Sequence, residues 1–325
     1  MSPLVSILIP VCNAERWIEQ TIESALSQTW PAKEVIVVDD GSTDRSLEII
    51  KRFDGRIRWE AGPNRGGSAA RNRLLELSRG EWVQYLDADD YLLPEKVERQ
   101  MASVRRHPDC EVIVNPVIWE KVENGRHISV ETKIPHPRDP WVLLALWHLP
   151  QTGGPLWKRS VLERVGGWRI GQPCCQEHEL YCRLLEAGCR FRFFEGCFAV
   201  YRDWDHGPRV SAKRPGEVDL QRLRILDRIE ACLRNRTELT PARSDAVNDA
   251  RHQIARKFWI KDPDFALRIA RRIHASDGAY CPSVGPASPW PYLLMYRLLG
   301  FHAAQRAAAC KRLLSSMLVA PVERI

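Results

Sequence analysis

Val35-Ile36-Val37-Val38-Asp39-Asp40-Gly41-Ser42 is four β-branched aliphatic residues that stop abruptly at two carboxylates and a turn. A run that is apolar at every position, rather than at alternate ones, suits a strand covered on both faces in a parallel sheet. Upstream, Leu4-Val5-Ser6-Ile7-Leu8-Ile9 carries the same signature. Between the two, Ile18, Ile22, Ala25 and Leu26 recur on one face of a helix that Asn13 can cap. Strand, helix and strand at this spacing make a βαβ unit with a right-handed crossover. Downstream, Ser42 or Thr43 caps a second helix carrying Leu47 and Ile50, and Ile57-Arg58-Trp59-Glu60 is a short third strand. Gly62 to Ser68 then forms a loop that opens into a helix with Ala69, Ala70, Leu74 and Leu77. Gly66 and Gly67 permit close backbone approach, and a helix start favours an anion, although the loop matches no Walker or dinucleotide fingerprint.

The next strand is Trp82-Val83-Gln84-Tyr85-Leu86, which runs into Asp87-Ala88-Asp89-Asp90. Three carboxylates within four residues, where a strand leaves a sheet, occupy the position at which open α/β sheets bind ligands. Hard oxygen donors suit Mg²⁺ or Mn²⁺, completed by water and substrate phosphates. The plain alternative is a solvated acidic turn before the helix that starts at Pro94.

Farther along, Val97, Met101 and Val104 face inward on that helix, and Cys110 to Val117 is a buried strand. Residues 118–133 read as an antiparallel excursion turning at Asn124-Gly125. Short helices follow from Asp139 and Ser160, and Gln176-Glu177-His178-Glu179 opens a third that ends at Gly188. Residues 191–201 read as one returning strand. After about residue 212 strands cease and amphipathic helices take over at 217–233, 245–260 and 264–273. The expected organisation is an α/β domain over 1–215 and a helical region over 216–325. Within the latter, a proline-rich stretch leads into an apolar helix over 292–318 that carries Arg297, Arg306, Lys311 and Arg312 and is a candidate for lying on a membrane surface.

Composition is that of a globular protein: 44% apolar and 27% charged residues among 325. Lys and Arg outnumber Asp and Glu 48 to 41, a mild excess without a basic block or recognition motif, which argues against nucleic acid as partner. Ten scattered cysteines without a Cys-X-X-Cys pair read as reduced thiols in a cytoplasmic protein, without a zinc site. The first residues read as a strand and not a signal peptide, and no apolar run is long enough to span a bilayer. Any membrane contact is therefore expected to be peripheral, on the cytoplasmic face.

In this order and spacing, five stretches are together specific: residues 5–13, Ser24-Ala25-Leu26-Ser27-Gln28-Thr29, residues 37–44, residues 64–72 and Leu86-Asp87-Ala88-Asp89-Asp90. Residues 4 to about 211 resemble a family 2 glycosyltransferase, an inverting enzyme on the GT-A-like nucleotide-diphospho-sugar transferase fold. The resemblance implies a Rossmann-type, mostly parallel sheet flanked by helices, with the C-terminal helices as an extension. It places Pro10, Asn13, Asp39, Arg71, Asp87 and Ala88 around a nucleotide sugar, most simply a UDP-sugar, with Asp39 on the base and Asp87 near the ribose. It makes Asp89 the metal ligand, with His206 completing the site for Mg²⁺ or Mn²⁺. Arg202 and Arg209 resemble basic residues near the diphosphate, and Gly153-Gly154 with Trp157 resembles the acceptor-side strand.

Inverting transfer also needs a base for the acceptor hydroxyl. The family has an Asp where Glu177-His178-Glu179-Leu180-Tyr181-Cys182-Arg183 stands here, so Glu177 takes that place with one extra methylene. Glu179 is the competing carboxylate and His178 a third candidate. The reading implied is a metal-dependent enzyme that transfers sugar to a hydroxyl of a glycan or lipid-linked acceptor in polysaccharide or glycolipid assembly. The alternative is a nucleotide-sugar binder that has lost catalysis through the change at 177.

Overall fold

The computed structural model describes residues 2–123, 126–203, 215–285 and 288–319. In chain order the elements are β1 (Val5–Val11), α1 (Ile18–Leu26), β2 (Lys33–Asp40), α2 (Ser46–Lys51), β3 (Arg58–Gly62), α3 (Gly67–Leu77), β4 (Trp82–Tyr85) and β5 (Tyr91–Leu92). Then come α4 (Lys96–Arg106), β6 (Val112–Val114), β7 (Ile118–Glu123), β8 (Arg126–Glu131), α5 (Pro140–Ala145), β9 (Leu156–Lys158), α6 (Arg159–Arg164), α7 (Gln176–Glu186), β10 (Phe191–Phe193) and β11 (Ala199–Asp203). The helices α8 (Pro215–Asn235), α9 (Pro241–Phe258), α10 (Pro263–Ser276) and α11 (Trp290–Val319) complete the chain.

Seven strands form one sheet in the order β10-β6-β9-β4-β1-β2-β3. β3, β2, β1 and β4 run parallel to one another, and β6 is parallel to β10. β9 is wedged antiparallel between β4 and β6. Val5, Ile7, Leu8, Ile9, Ile36 and Val37 are fully buried, as the continuous apolar runs predict for strands covered on both faces. The α/β class and mostly parallel sheet expected from the sequence are therefore present.

Four expectations need correction. Neither Ser42 nor Thr43 caps α2, which starts at Ser46 without a side-chain cap, and the Ser42 hydroxyl donates to Asp39 instead. Residues 191–201 are two strands: β10 joins the large sheet, whereas β11 joins a second sheet in the order β5-β11-β7-β8. The break falls at Gly196, whose φ of 93° is open to glycine. Asn13 does not cap α1; its side chain accepts a hydrogen bond from the backbone N–H of Thr43 at 2.7 Å and so joins the ends of β1 and β2. The apolar C-terminal helix is not continuous, because Gly300 takes φ 78° inside α11. The hairpin β7–β8 is antiparallel as expected, and its turn at Asn124-Gly125 lies outside the described residues.

The chain divides into two compact units, Met1–Ile225 and Leu226–Ile325. The division falls within α8, whose first turns hold to the sheet unit: the Arg222 Nη2 donates to the carbonyl of Ala145, and Gln172 Nε2 to Gln221 Oε1. No helix among the described residues is long and apolar enough to cross a membrane.

A buried polar chain fixes the strand that delivers the acidic loop. Lys96 is fully buried; its Nζ donates to Gln84 Oε1 and, at 2.8 Å, to Gln100 Oε1. Gln84 and Gln100 in turn donate to the carbonyls of Gly153 and Gly154, so β4 and the loop before β9 are held together. Burial pushes the Lys96 ammonium well below the ordinary lysine range. Between that lowered value and about 10.4, the unfolded chain holds a proton that the folded chain lacks, so stability rises with pH across this window. Urea unfolding at pH 8 and pH 10 is expected to show wild type gaining on Lys96→Met, by up to about 1.4 kcal/mol per pH unit. A difference that stays constant over that range would mean that Lys96 remains charged in the folded state.

Candidate active site

The carboxyl ends of β1, β2 and β4 open on one side of the sheet into a cavity of about 900 Å³. The end of β1 contributes Pro10, Val11, Cys12 and Asn13 to its wall. Asn13 takes φ 52°, a left-handed conformation that asparagine tolerates, and its backbone N–H donates to Ser42 Oγ at 3.0 Å. At the end of β2, Gly41 has φ 72°, and a Cβ there would lie 2.6 Å from the backbone nitrogen of Asn64. Only glycine lets the β3–α3 loop come this close.

Asp39 and Asp40 part company at this strand end. Successive strand side chains point to opposite faces. Asp39 is buried and accepts hydrogen bonds from the hydroxyl and the backbone N–H of Ser42, outside the cavity wall. Asp40 lines the cavity, with its two oxygens receiving the backbone N–H groups of Arg65 and Gly66 at 2.7 and 2.9 Å. Asp40, and not Asp39, therefore lines the cavity, for a reason of strand register.

Arg71, from α3, is the hub of the cavity floor. Its Nη2 is 2.7 Å from Asp87 Oδ1 and its Nη1 donates to Gln176 Oε1 at 3.1 Å. The guanidinium lies 4.8 Å from the Trp168 ring, and Tyr85 donates its hydroxyl to the Arg71 carbonyl. Its Nε is buried without a hydrogen-bond partner. Burial works against the cation, yet the charges of Asp87 and then Glu177 outweigh it and hold the guanidinium pKa above its ordinary value. Trp168 is itself clamped to α3: Asn72 accepts from its backbone N–H and donates to its carbonyl, at 2.7 and 2.8 Å.

Of the acidic loop, Asp87, Ala88 and Asp89 line the cavity. Asp89 is exposed, whereas Asp90 is buried and accepts the backbone N–H of Arg202 at 2.9 Å. Asp90 therefore ties the loop to β11. Burial, reinforced by Asp89 and Asp87, pushes its carboxyl well above the usual carboxylate range. Arg202 reaches back to the Asp89 carbonyl at 3.0 Å and is sandwiched between Trp17 and Tyr91.

Across the cavity stands the start of α7. Glu177 lines the wall, and its Oε1 receives the hydroxyl of buried Thr152 at 2.6 Å. Glu179 lies outside the wall: two residues along a helix is more than half a turn, and its carboxylate is 2% exposed and paired with Arg183 at 2.8 Å. His178 stacks on Trp147 with ring centroids 3.5 Å apart. Burial, and then the charge of Arg222, lowers its pKa to about 3, so the imidazole is neutral and a weak base. Of the three candidates for the base, Glu177 and His178 line the cavity, and Glu177 is the carboxylate of the two.

Among the described residues no group of three or more His, Cys, Asp or Glu side chains comes together as a metal cluster. His206 lies outside the described residues. The exposed carboxylate of Asp89 in the wall fits the other arrangement open to a hard divalent cation, one or two carboxylates completed by water and substrate phosphates. Trp147 and Gln176 line the cavity, and Thr152 and Trp168 support it from behind through Glu177 and Arg71. All four lie more than fifty residues beyond the acidic loop, in loops or at a helix start, and the sequence pattern does not assign them to the site.

The hyaluronan synthase of Pasteurella multocida is 35% identical over 231 residues, covering 66% of this chain and 22% of that protein. A glycosyltransferase of Haemophilus influenzae is 44% identical over 103 residues, 30% of this chain and 41% of that one. The chain thus spans less than half the length of these relatives. TarS 1–349 of S. aureus, crystallised with UDP-GlcNAc, shares the fold with a TM-score of 0.67 at 17% identity, over 95% of this chain and 91% of that one. Residues 6–166, which carry Asp40, Arg71 and the acidic loop but stop short of Glu177, match Glycosyl transferase family 2, and this region of the chain belongs to that family.

Proposed function

We propose that the chain is an inverting, metal-dependent glycosyltransferase that moves one sugar from a nucleotide-diphosphate sugar, a UDP-sugar, to a hydroxyl of a glycan or lipid-linked acceptor. Polysaccharide or glycolipid assembly is the setting this reading implies. The observation that carries it is one cavity whose wall holds Arg71, Asp87 and Asp89 together with the carboxylate of Glu177. The names of relatives such as the hyaluronan synthase support the same substrate class.

In this reading the donor's base lies at the ends of β1 and β2. A carboxylate has about four lone-pair sites, so Asp40 can take a base N–H besides its two backbone donors. Arg71 supplies fixed positive charge on the diphosphate side, oriented by Asp87, Gln176 and the Trp168 ring. Asp89 would hold Mg²⁺ or Mn²⁺, which would supply charge neutralisation for the leaving nucleoside diphosphate. Glu177 accepts the acceptor's hydroxyl proton as that oxygen bonds to the anomeric carbon and the bond to the phosphate oxygen breaks on the opposite face.

The test is a panel of UDP-, GDP- and dTDP-sugars incubated with the full chain and Mn²⁺, following release of free nucleoside diphosphate. One nucleotide class is expected to be hydrolysed slowly without acceptor, and EDTA is expected to stop it. No hydrolysis of any donor, together with no donor binding by calorimetry at millimolar concentration, would sink the reading.

A further inference from the structure

The basic excess of the chain is not shared between its units. Residues 1–225 hold 32 Lys and Arg and 32 Asp and Glu; residues 226–325 hold 16 and 9, so the whole surplus of seven belongs to the C-terminal unit. Within that unit, residues 278–322 contain Arg297, Arg306, Lys311 and Arg312 and no acidic residue.

The same unit shows an apolar face to solvent. Trp290, Leu294 and Leu298 recur every four residues along the first three turns of α11, and are 65%, 54% and 70% exposed. Arg297 is exposed beside them. The opposite side of these turns is anchored: Tyr292 and Leu293 are buried with Ala304, and the Tyr292 hydroxyl bonds His252 Nε2 at 3.1 Å and accepts from Gln305 at 2.8 Å. The exposed stripe is therefore the outer face of a seated helix and not a frayed end. Gly300 interrupts the helix immediately after Leu299, itself 63% exposed, so the stripe is far too short to span a bilayer.

We propose that this face, Trp290, Leu294, Leu298 and Leu299 with Arg297, docks the chain on an anionic lipid surface. Short apolar stripes with a tryptophan and flanking cations bind at the headgroup boundary, where apolar burial and attraction to anionic lipid add. Charge decides between a membrane and a second copy of this chain. A symmetric dimer through this face would bring the Arg297 side chains of both copies onto one apolar seam, in a unit that already carries the whole basic surplus. Duplex nucleic acid would satisfy the cations but leave the leucines wet. The inference does not depend on the transferase reading.

Flotation of the full chain tests it, using vesicles of phosphatidylcholine with about one third phosphatidylglycerol and vesicles of phosphatidylcholine alone. The wild-type chain is expected to float with the anionic vesicles and to partition much more weakly to the neutral ones. The double variant Leu294→Glu/Leu298→Glu is expected to lose at least about tenfold in partitioning, since two exposed leucines no longer enter the interface. Its circular dichroism and unfolding temperature should match wild type, because neither side chain packs inward. Equal flotation of wild type and variant, or no flotation of wild type with anionic vesicles, overturns the proposal. A wild-type dimer in sedimentation velocity that becomes monomeric in the variant, with neither floating, assigns the face to a second copy and overturns it too. Donor hydrolysis is measured without lipid, so failure here leaves that reading standing.

Discussion

Glu177→Gln is expected to lower sugar transfer by about 10²–10⁴-fold while leaving the donor's dissociation constant within about twofold of wild type. The carboxamide keeps the size of the side chain, and its carbonyl oxygen can still take the Thr152 hydroxyl that now lies 2.6 Å from Glu177 Oε1. What it cannot do is accept the acceptor's proton. Because the acceptor hydroxyl is too weak an acid to attack as an alkoxide near neutral pH, loss of the base falls on kcat rather than on donor binding. Glu177→Asp separates reach from chemistry: it keeps the carboxylate but withdraws it by one methylene from Thr152, so a smaller loss is expected. Glu179 cannot substitute, being 2% exposed and held by Arg183, and the neutral His178 is too weak a base. If Glu177→Gln retains transfer within tenfold of wild type, the base lies elsewhere and the role given to the α7 start is wrong. If neither protein transfers sugar yet both bind donor, the chain is a nucleotide-sugar binder.

The parallel half of the sheet was legible because β1 and β2 must be apolar at every position to be covered on both faces, a pattern that survives in the bare sequence. The wedge strand β9 was much less so. Three residues carry no period, and what places Leu156-Trp157-Lys158 antiparallel between β4 and β6 is the gap those strands leave. The splitting of residues 191–201 into two sheets turns on the backbone of Gly196, which composition does not reveal. Asp39 and Asp40 show the same limit in the site. Alternation says that only one of two adjacent strand residues can face the cleft, but choosing between them needs the register of β2 against its neighbours, which lies in contacts distant in sequence. Glu177 was singled out only through the resemblance of Glu177 to Arg183 to a family pattern. Thr152, which holds it, sits in a loop with no pattern at all.

Arg71 is where the next largest loss is expected, and the sign of the charge is only part of the reason. Arg71→Met leaves Asp87 facing a buried, uncompensated position, and removing one partner of such a pair costs about 3 kcal/mol. For a unit of this size that corresponds to a fall of roughly 6–12 °C in unfolding temperature. Donor affinity should fall with it, because the cation on the diphosphate side is gone. Arg71→Lys is the sharper test. Lysine restores the charge but not the fork that meets Asp87 and Gln176 together, nor the flat contact with Trp168. Most of the stability is then expected to return while donor affinity and turnover stay at least about tenfold down. A lysine variant equal to wild type in both would mean that Arg71 acts as a point charge and that its planar contacts are incidental. The outcome matters beyond one residue, because Arg71 bonds Gln176, the first residue of the helix that carries Glu177, and Asp87 on the other side. Its loss should therefore loosen the leaving-group side and the base side together. Combined with Glu177→Gln, Arg71→Lys should then cost less than the product of the two single losses, since each removes part of one shared arrangement.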